Sequence, residues 1–170
     1  MISPAINEIV TLIANVALAL SLIVALIFGI AQVRAAARDR RERLTLETLR
    51  NFQTMEFAAS LYRITNGIMP KTGAELRALS AEEQIVFIQF AQQMESLGIL
   101  VADGLINLDL VEKTLGSFVN TAWDKHQPVF QDMREKTPDP YIGEYFQWLA
   151  ELLAKRMREQ PRRPAYRADR

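Results

Sequence analysis

Apolar and polar positions divide this chain into one unbroken apolar run and a series of amphipathic segments. The run covers residues 9–33 and contains neither a charged residue nor a proline. An apolar run of more than about 18 residues predicts a membrane-spanning helix. At about 1.5 Å per residue the run reaches roughly 37 Å, whereas a hydrocarbon core is about 30 Å thick. We therefore predict a transmembrane helix over residues 9–33.

Beyond the run, apolar side chains recur every three or four residues, which is the period of a helix face. Nothing in the sequence breaks the helix between residue 33 and the Asn66-Gly67 pair, which is a good helix stop. Thr72 and Glu75 have the spacing of a capping box, so we predict a short helix after them, to about residue 79.

A second capping box, formed by Ser80 and Glu83, starts a stronger helix that we expect to end or bend at Gly98. Another helix restarts near Leu108, and Pro128 either kinks it or opens a new segment. The apolar positions of the stronger helix are expected to be well buried. They are Ile85, Val86, Ile88, Phe90, Met94 and Leu97.

The last helix is predicted over residues 141–159, with Asp139 as its N-cap and Pro140 at its first position. No segment shows the alternation of a strand. The predicted fold class is all-α, with one N-terminal transmembrane helix followed by a bundle of about five helices over residues 44–160. Residues 161–170 form a basic tail that we expect to be flexible.

Arginine is distributed unevenly about the apolar run. Residues 1–8 contain no lysine or arginine, whereas residues 34–43 contain five arginines. Because basic residues favour the cytoplasmic side, we expect a single-pass protein of the inner (cytoplasmic) membrane with residues 1–8 outside and the bundle in the cytoplasm. A cleaved signal peptide is disfavoured, because the run is too long and its start is not basic. The arginines predicted to fix topology and contact lipid headgroups are Arg34, Arg38, Arg40, Arg41 and Arg43.

One stripe of the apolar run carries a small side chain at every fourth position. Small residues at this spacing let two helix backbones approach closely in lipid. The stripe favours a homo-oligomer or docking to a larger membrane protein complex, and chance recurrence of alanine is the alternative. The candidate interface consists of Ala17, Ser21, Ala25 and Gly29.

The sequence contains no motif for catalysis, cofactor binding or metal binding. There is no cysteine, phosphate-binding glycine loop, nucleophile elbow or zinc-protease motif. His126, the single histidine, has apolar residues three and four positions away, where a metal site needs His, Asp or Glu. The basic clusters flank an acidic body, so lipid phosphate is favoured over nucleic acid as a partner. We expect a non-enzymatic protein.

Aromatic side chains are concentrated in the last two predicted helices. Core packing is their usual role, and any aromatic face left exposed would be a docking surface for a partner. The residues considered for such a surface are Trp123, Phe130, Tyr145 and Trp148.

The layout resembles a family of small uncharacterised bacterial membrane proteins, which have one N-terminal span, an arginine-rich exit and a helical cytoplasmic domain of unknown function. The resemblance covers most of the chain and implies this architecture, but no activity. It is carried by residues 40–49 (RRERLTLETL), 90–109 (FAQQMESLGILVADGLINLD), 123–135 (WDKHQPVFQDMRE) and 145–150 (YFQWLA).

Three functions remain open from the sequence. The leading hypothesis is a non-enzymatic, membrane-anchored interaction or assembly subunit. The alternative is a sensor or effector component of a membrane stress or phage-defence system, in which the bundle changes state. An enzyme with an unrecognised carboxylate site is the third.

Overall fold

The computed structural model describes residues 4–136 and 139–162, with side chains described from residue 8 onward. Within these ranges the chain forms helices and turns and no strand, which confirms the all-α class. Residues 163–170 of the predicted tail, and Thr137 and Pro138 of the last predicted loop, lie outside the description. The helices are α1 (Pro4–Arg50), α2 (Met55–Asn66), α3 (Gly73–Ala78), α4 (Ala81–Ala102), α5 (Leu108–Lys136) and α6 (Glu144–Glu159).

The chain divides into two compact units, Met1–Arg41 and Glu42–Arg170. The first unit consists of the greater part of α1. The second contains the last turns of α1 together with α2 to α6.

The prediction of an unbroken helix to residue 66 is wrong, because α1 ends at Arg50. The amide of Asn51 bonds to the carbonyl of Thr48, three residues back, which tightens the chain into turns. Thr54 then caps α2, with its hydroxyl accepting from the Phe57 amide at 3.2 Å. This cap has phenylalanine where a capping box has glutamate or glutamine, so the sequence pattern did not reveal it.

The N-caps predicted at Thr72 and Ser80 are confirmed. The Thr72 hydroxyl accepts from the Glu75 amide at 3.1 Å, and α3 follows. Ser80 and Glu83 form the full reciprocal box at the start of α4. The Glu75 carboxylate differs from the box pattern, since it accepts from the amide of Lys71 rather than that of Thr72.

Gly98 does not end α4, which was one of the two predicted alternatives, and the helix continues to Ala102. Its role is close packing: a Cβ atom at residue 98 would lie 2.3 Å from the carbonyl oxygen of Tyr145 on α6. The turn that follows α4 instead uses Gly104, whose φ of 67° lies in the left-handed region. The missing side chain therefore brings α4 and α6 together.

α5 runs through Pro128 without interruption, and α6 begins at Glu144 rather than at residue 141. Asp139 caps a turn instead of the helix, accepting from the Tyr141 amide at 2.9 Å. The N-cap of α6 is Gly143, which has a φ of 71° and no side chain to offer. The predicted start is wrong because the cap of α6 is not local in sequence. The amides of Tyr145 and Phe146 donate to the carboxylate of Glu95 on α4.

The core of the second unit lies where α4 and α5 pack on α6, with α2 against α4 and α5 and α3 against α5. The face predicted for α4 is partly wrong, because Ile85 and Ile88 are exposed and Phe87 is buried instead. Fully buried large side chains in the described chain include Ile64, Phe90, Met94, Leu97, Ile106, Phe146, Leu149 and Leu153.

Candidate functional site

The large apolar side chains of the α1 segment that the structure describes are not covered by other parts of the protein. Every described side chain from residue 8 to residue 43 is exposed. Each large apolar side chain between Ile9 and Val33 keeps at least 46% of its surface exposed. The stretch Glu8–Arg50 is long and apolar enough to cross a membrane. This part of the chain is the first candidate site, because its exposed apolar side chains are compatible with the hydrocarbon core of a membrane.

A second helix, Ala81–Ala102, also has the length and composition of a membrane span. A third of its apolar window (33%) is buried inside the protein, in contrast to none for the first stretch. Phe90, Met94 and Leu97 are each only 1% exposed and face the core. These contacts identify α4 as a core helix of the bundle.

The small-residue stripe and the five arginines all lie on α1. Ala17, Ser21, Ala25 and Gly29 are exposed and follow one another at four-residue intervals along one side of the helix. A Cβ atom at Gly29 would meet nothing within 4 Å, so the stripe is open. Arg34, Arg38, Arg40, Arg41 and Arg43 are exposed on the turns that follow the apolar segment.

The aromatic docking surface is mostly absent. Trp123 and Phe130 are 6% and 5% exposed, and their rings stack with centroids 5.9 Å apart. Both residues are therefore core residues, because α5 turns their rings inward toward α4 and α6. Tyr145 is half-buried, and Trp148, at 39% exposed, is the one residue of the four with substantial exposure.

His126 lies fully buried in the middle of the bundle. Its Nδ1 is 2.7 Å from the carbonyl oxygen of Ala122, one turn earlier on α5. Its Nε2 has no hydrogen-bond partner among the described residues. The ring is surrounded by four phenylalanines contributed by three helices, with centroid distances of 4.5 Å to Phe87, 5.5 Å to Phe90, 5.6 Å to Phe146 and 6.0 Å to Phe130.

Burial lowers the pKa of His126 from 6.5 to about 4, although the bond to Ala122 opposes this shift. The described residues contain no group of three or more His, Cys, Asp or Glu side chains that could hold a metal ion. The sequence argued against a metal role for His126, but its full burial was not predicted. The apolar residues around it on the helix are the signal that could have predicted full burial.

A cluster of ion pairs connects the start of α5 with the end of α6 and the residues just after it. Glu112 is 5% exposed, and its two carboxylate oxygens are held separately. Arg156 Nε donates to Oε2 at 2.7 Å, and Arg162 Nε lies 3.2 Å from Oε1. Arg156 also pairs with Asp109 at 2.5 Å. The hydrogen bond to Glu112, followed by that to Asp109, raises the pKa of Arg156 above its ordinary value.

This charge cluster was not found from the sequence, because its members are about 45 residues apart along the chain. Each charge in it faces an opposite charge, which is the arrangement of a structural ion-pair network. Arg134 is not part of this cluster. It donates to the Ile142 carbonyl at 2.9 Å and to the Gln147 side chain at 2.6 Å, and so holds the turn before α6.

A model of a protein family matches most of this chain. The family is described as a domain of unknown function, DUF4760, and its model covers residues 16–156, from within the apolar segment of α1 to Arg156 of the charge cluster. A comparison with curated proteins and with solved structures gave no match. The match confirms the resemblance to an uncharacterised family. The chain belongs to the DUF4760 family of domains of unknown function.

Proposed function

We propose that this protein is a non-enzymatic, membrane-anchored interaction or assembly subunit. In this proposal the apolar segment of α1 crosses the inner membrane once. Residues 1–8 lie outside the cytoplasm, and the bundle of the second unit lies within it. The observation that carries the proposal is the continuous exposed apolar surface between Ile9 and Val33.

That surface is incompatible with water as its permanent surroundings. Exposed apolar patches on soluble proteins rarely exceed a few hundred Å², and burial of apolar surface is favoured by about 25 cal/mol per Å². A hydrocarbon core accepts these side chains, and the backbone amides of a helix are already satisfied there. Lipid, supplemented by other membrane helices, is therefore the partner that the segment fits.

The arginines after the segment support the orientation. Five arginines lie in residues 34–43, all exposed, whereas residues 1–8 contain no lysine or arginine. Anionic lipid headgroups and the insertion machinery both favour basic residues on the cytoplasmic side. The stripe Ala17, Ser21, Ala25 and Gly29 supports assembly, since it offers a second helix a close approach.

The non-enzymatic part of the proposal draws on the state of the buried ionisable groups. His126 is enclosed by phenylalanine rings, and Glu112 has both oxygens engaged by arginines. A general base needs to reach a substrate proton within hydrogen-bond distance, and neither group offers this. An interaction role requires no such group.

A sensor role is the second candidate, and one observation favours it. Nε2 of the buried His126 has no hydrogen-bond partner among the described residues. A buried group that gains charge on acidification can convert a change of pH into a change of packing.

Reporter fusions test the topology. Alkaline phosphatase and a green fluorescent protein are each fused after residue 162 to report on which side of the membrane the C-terminal end lies. Membrane fractions are separately washed in alkaline carbonate to test whether the protein is integral to the membrane. The proposal expects carbonate-resistant membrane association, a fluorescent C-terminal fusion and an inactive phosphatase fusion. Release by carbonate would contradict the anchor, and an active phosphatase would contradict the orientation. Moving the five arginines of residues 34–43 to precede Ile9 is the matched control and should invert both reporters.

A further inference from the structure

We propose that His126 is an acid-sensitive switch in the helical domain, and that protonation of its Nε2 loosens the packing of α5 against α4 and α6. The proposal concerns the second unit alone. It holds whether or not α1 crosses a membrane, and so it goes beyond the anchoring function. Its basis is a set of contacts that accommodates the neutral imidazole ring but offers no acceptor to Nε2 of the protonated ring.

The hydrogen bonding of the ring assigns its neutral tautomer. Nδ1 faces the carbonyl oxygen of Ala122 at 2.7 Å, and a carbonyl only accepts, so Nδ1 carries the proton and donates it. Nε2 is then a lone pair with no donor among the described residues. Protonation turns Nε2 into a donor that equally lacks an acceptor. A buried charged donor without a partner is far more costly than a buried lone pair.

The imidazole ring of His126 packs against aromatic side chains from three helices. Phe87 and Phe90 come from α4, Phe130 from α5 and Phe146 from α6. Aromatic faces attract a cation weakly, and the desolvation of an unpaired imidazolium outweighs this attraction. Burial accordingly lowers the pKa of His126 to about 4. The ring is therefore neutral at pH 7 in the packed state.

Carboxylates on the neighbouring helix α4 are committed elsewhere. Glu83 accepts from both the amide and the hydroxyl of Ser80, and the same bonds lower its pKa. Glu95 accepts from the amides of Tyr145 and Phe146. Either carboxylate would have to leave a helix cap in order to compensate a charge on the ring.

Charged groups on the other helices around the ring are likewise placed apart from it. On α5, Asp124 is exposed, Lys125 is half-buried and Arg134 holds the Ile142 carbonyl. On α2, Arg63 pairs with Glu82 at 3.1 Å. On α6, Glu144 and Glu151 lie outside the contacts of the ring, and the Gln147 amide donates to Glu151. None of these groups contributes to the shift in the pKa of His126, whose causes are burial and Ala122.

Phe87 is the part of the enclosure that has room to move. Its ring is the nearest to His126, and it also lines two hollows on the surface of the second unit. One hollow has a volume of about 450 Å³ and includes Ile64 and Met69, and the other has about 280 Å³ and includes Leu76 and Met133. Displacement of Phe87 into either hollow admits water to the imidazolium, while α4 is released from α5.

The sign of the effect follows from the direction of the shift. The pKa of His126 is depressed from 6.5 to about 4 by packing, so the loosened state takes up the proton first. The packed state is fully favoured above pH 6.5 and loses that advantage as the pH falls toward 4. At pH 4.5 the equilibrium between the two states shifts by on the order of 50- to 100-fold relative to pH 7.5.

The single histidine and the position of Trp123 provide two direct readouts. The full chain is purified in mild detergent without a polyhistidine tag and with ¹³C-labelled histidine, so that one imidazole resonance reports His126. Trp123 stacks on Phe130 and contacts Phe146 edge-on at 5.2 Å, and both phenylalanines touch His126. Trp148→Phe removes the exposed tryptophan and leaves Trp123 as the only indole.

On lowering the pH from 7.5 to 4, we expect the histidine resonance to titrate well below pH 6.5, together with a red shift of Trp123 emission. His126→Gln and His126→Phe in the Trp148→Phe background should abolish the red shift. The proposal is overturned if either folded histidine variant shows the same emission change as the Trp148→Phe protein that retains His126. A wild-type resonance that titrates near 6.5 with unchanged emission also overturns it, and this second test needs no variant at position 126.

Discussion

Gly98 on α4 touches the backbone of Tyr145 on α6 so closely that a Cβ atom there would lie 2.3 Å from the Tyr145 carbonyl oxygen. One turn earlier, the carboxylate of Glu95 accepts from the amides of Tyr145 and Phe146, at 3.1 and 2.8 Å. Shape and hydrogen bonding therefore fix the same point of contact between the two helices. The packing of α4 against α6 depends on this joint.

Gly98→Ala should destabilise the bundle. In an ordinary helix this substitution gains about 1 kcal/mol, because alanine has the higher helix propensity. Here the added methyl meets backbone that cannot rotate away, so we expect a net loss of about 1–3 kcal/mol. Gly116→Ala on α5 is the matched control, since its Cβ would meet only Glu112 Cγ at 3.7 Å. Urea unfolding in detergent measures both, and an equally tolerated Gly98→Ala would contradict the close contact.

Glu95→Gln should weaken the start of α6. The carboxylate satisfies two amides at the positive end of the helix dipole, whereas a neutral amide oxygen makes weaker bonds there. We expect a loss of about 1–2 kcal/mol and faster hydrogen exchange at the amides of Tyr145 and Phe146. Glu135→Gln, at an exposed position of α5, controls for the change of net charge. Unchanged exchange at these two amides would disprove the cap.

Glu112→Gln should be far more damaging than Asp109→Asn. Both acids pair with Arg156, but Glu112 is 5% exposed and also holds Arg162, whereas the side chain of Asp109 is 62% exposed. Glu112 is buried, but its partners Arg156 and Arg162 keep 34% and 45% of their side chains exposed, so we expect Glu112→Gln to cost about 1–3 kcal/mol. Exposed pairs contribute about 0–1 kcal/mol. Thermal unfolding at low and high salt separates them. The Asp109 effect should fade with salt, and equal effects would refute the burial argument.

Replacing the small-residue stripe with large side chains should reduce self-association. Ala17→Leu with Gly29→Leu fills two positions of the open stripe, so the backbones of two helices can no longer approach. Ala19→Leu with Ala31→Leu is the matched control, because each site lies about 200° around the helix from its counterpart. Mass measurement in mild detergent should show a smaller species for the first pair only. A monomeric wild-type protein, or identical behaviour of the two pairs, would rule out the stripe as an interface.

The stability of the wild-type protein should depend on pH through His126. The folded-state pKa is depressed to about 4, so stability is complete above 6.5 and declines as the pH falls. Between pH 7.5 and 5 the contribution of this residue should fall by about 2 kcal/mol. Comparison of urea midpoints with His126→Gln removes the contribution of other acids. Parallel pH profiles for the two proteins would show that the residue does not carry the effect.

Helix caps and apolar periodicity in the sequence predicted those helices whose ends are set by neighbouring residues. The caps at Thr72 and Ser80 need only a hydroxyl and an amide three residues later, and both appear as predicted. Helix periodicity gave the all-α class and the apolar segment of α1. The turn before α2 was missed because its cap at Thr54 has no glutamate at the third position.

Tertiary contacts explain the remaining errors. Gly98 has the sequence signature of a helix stop, but packing against Tyr145 keeps it inside α4. The start of α6 was placed at residue 141 because Glu95, about 50 residues earlier, is invisible to a local pattern. Burial of Trp123 and Phe130 depends on which side of α5 faces α6. Similarly, the partners of Glu112 are known only once the two helices lie side by side.

The ion pair between Arg162 and Glu112 also sets the minimum length of the domain. Helix α6 ends at Glu159, and a truncation designed from secondary structure alone would stop there or one residue later. Such a truncation would remove the guanidinium 3.2 Å from Oε1 of a carboxylate that is almost wholly buried. Loss of the irregular residues that follow the helix, up to Arg162, thus has the effect of a substitution in the interior. Expression boundaries and fusion junctions for this domain belong after Arg162.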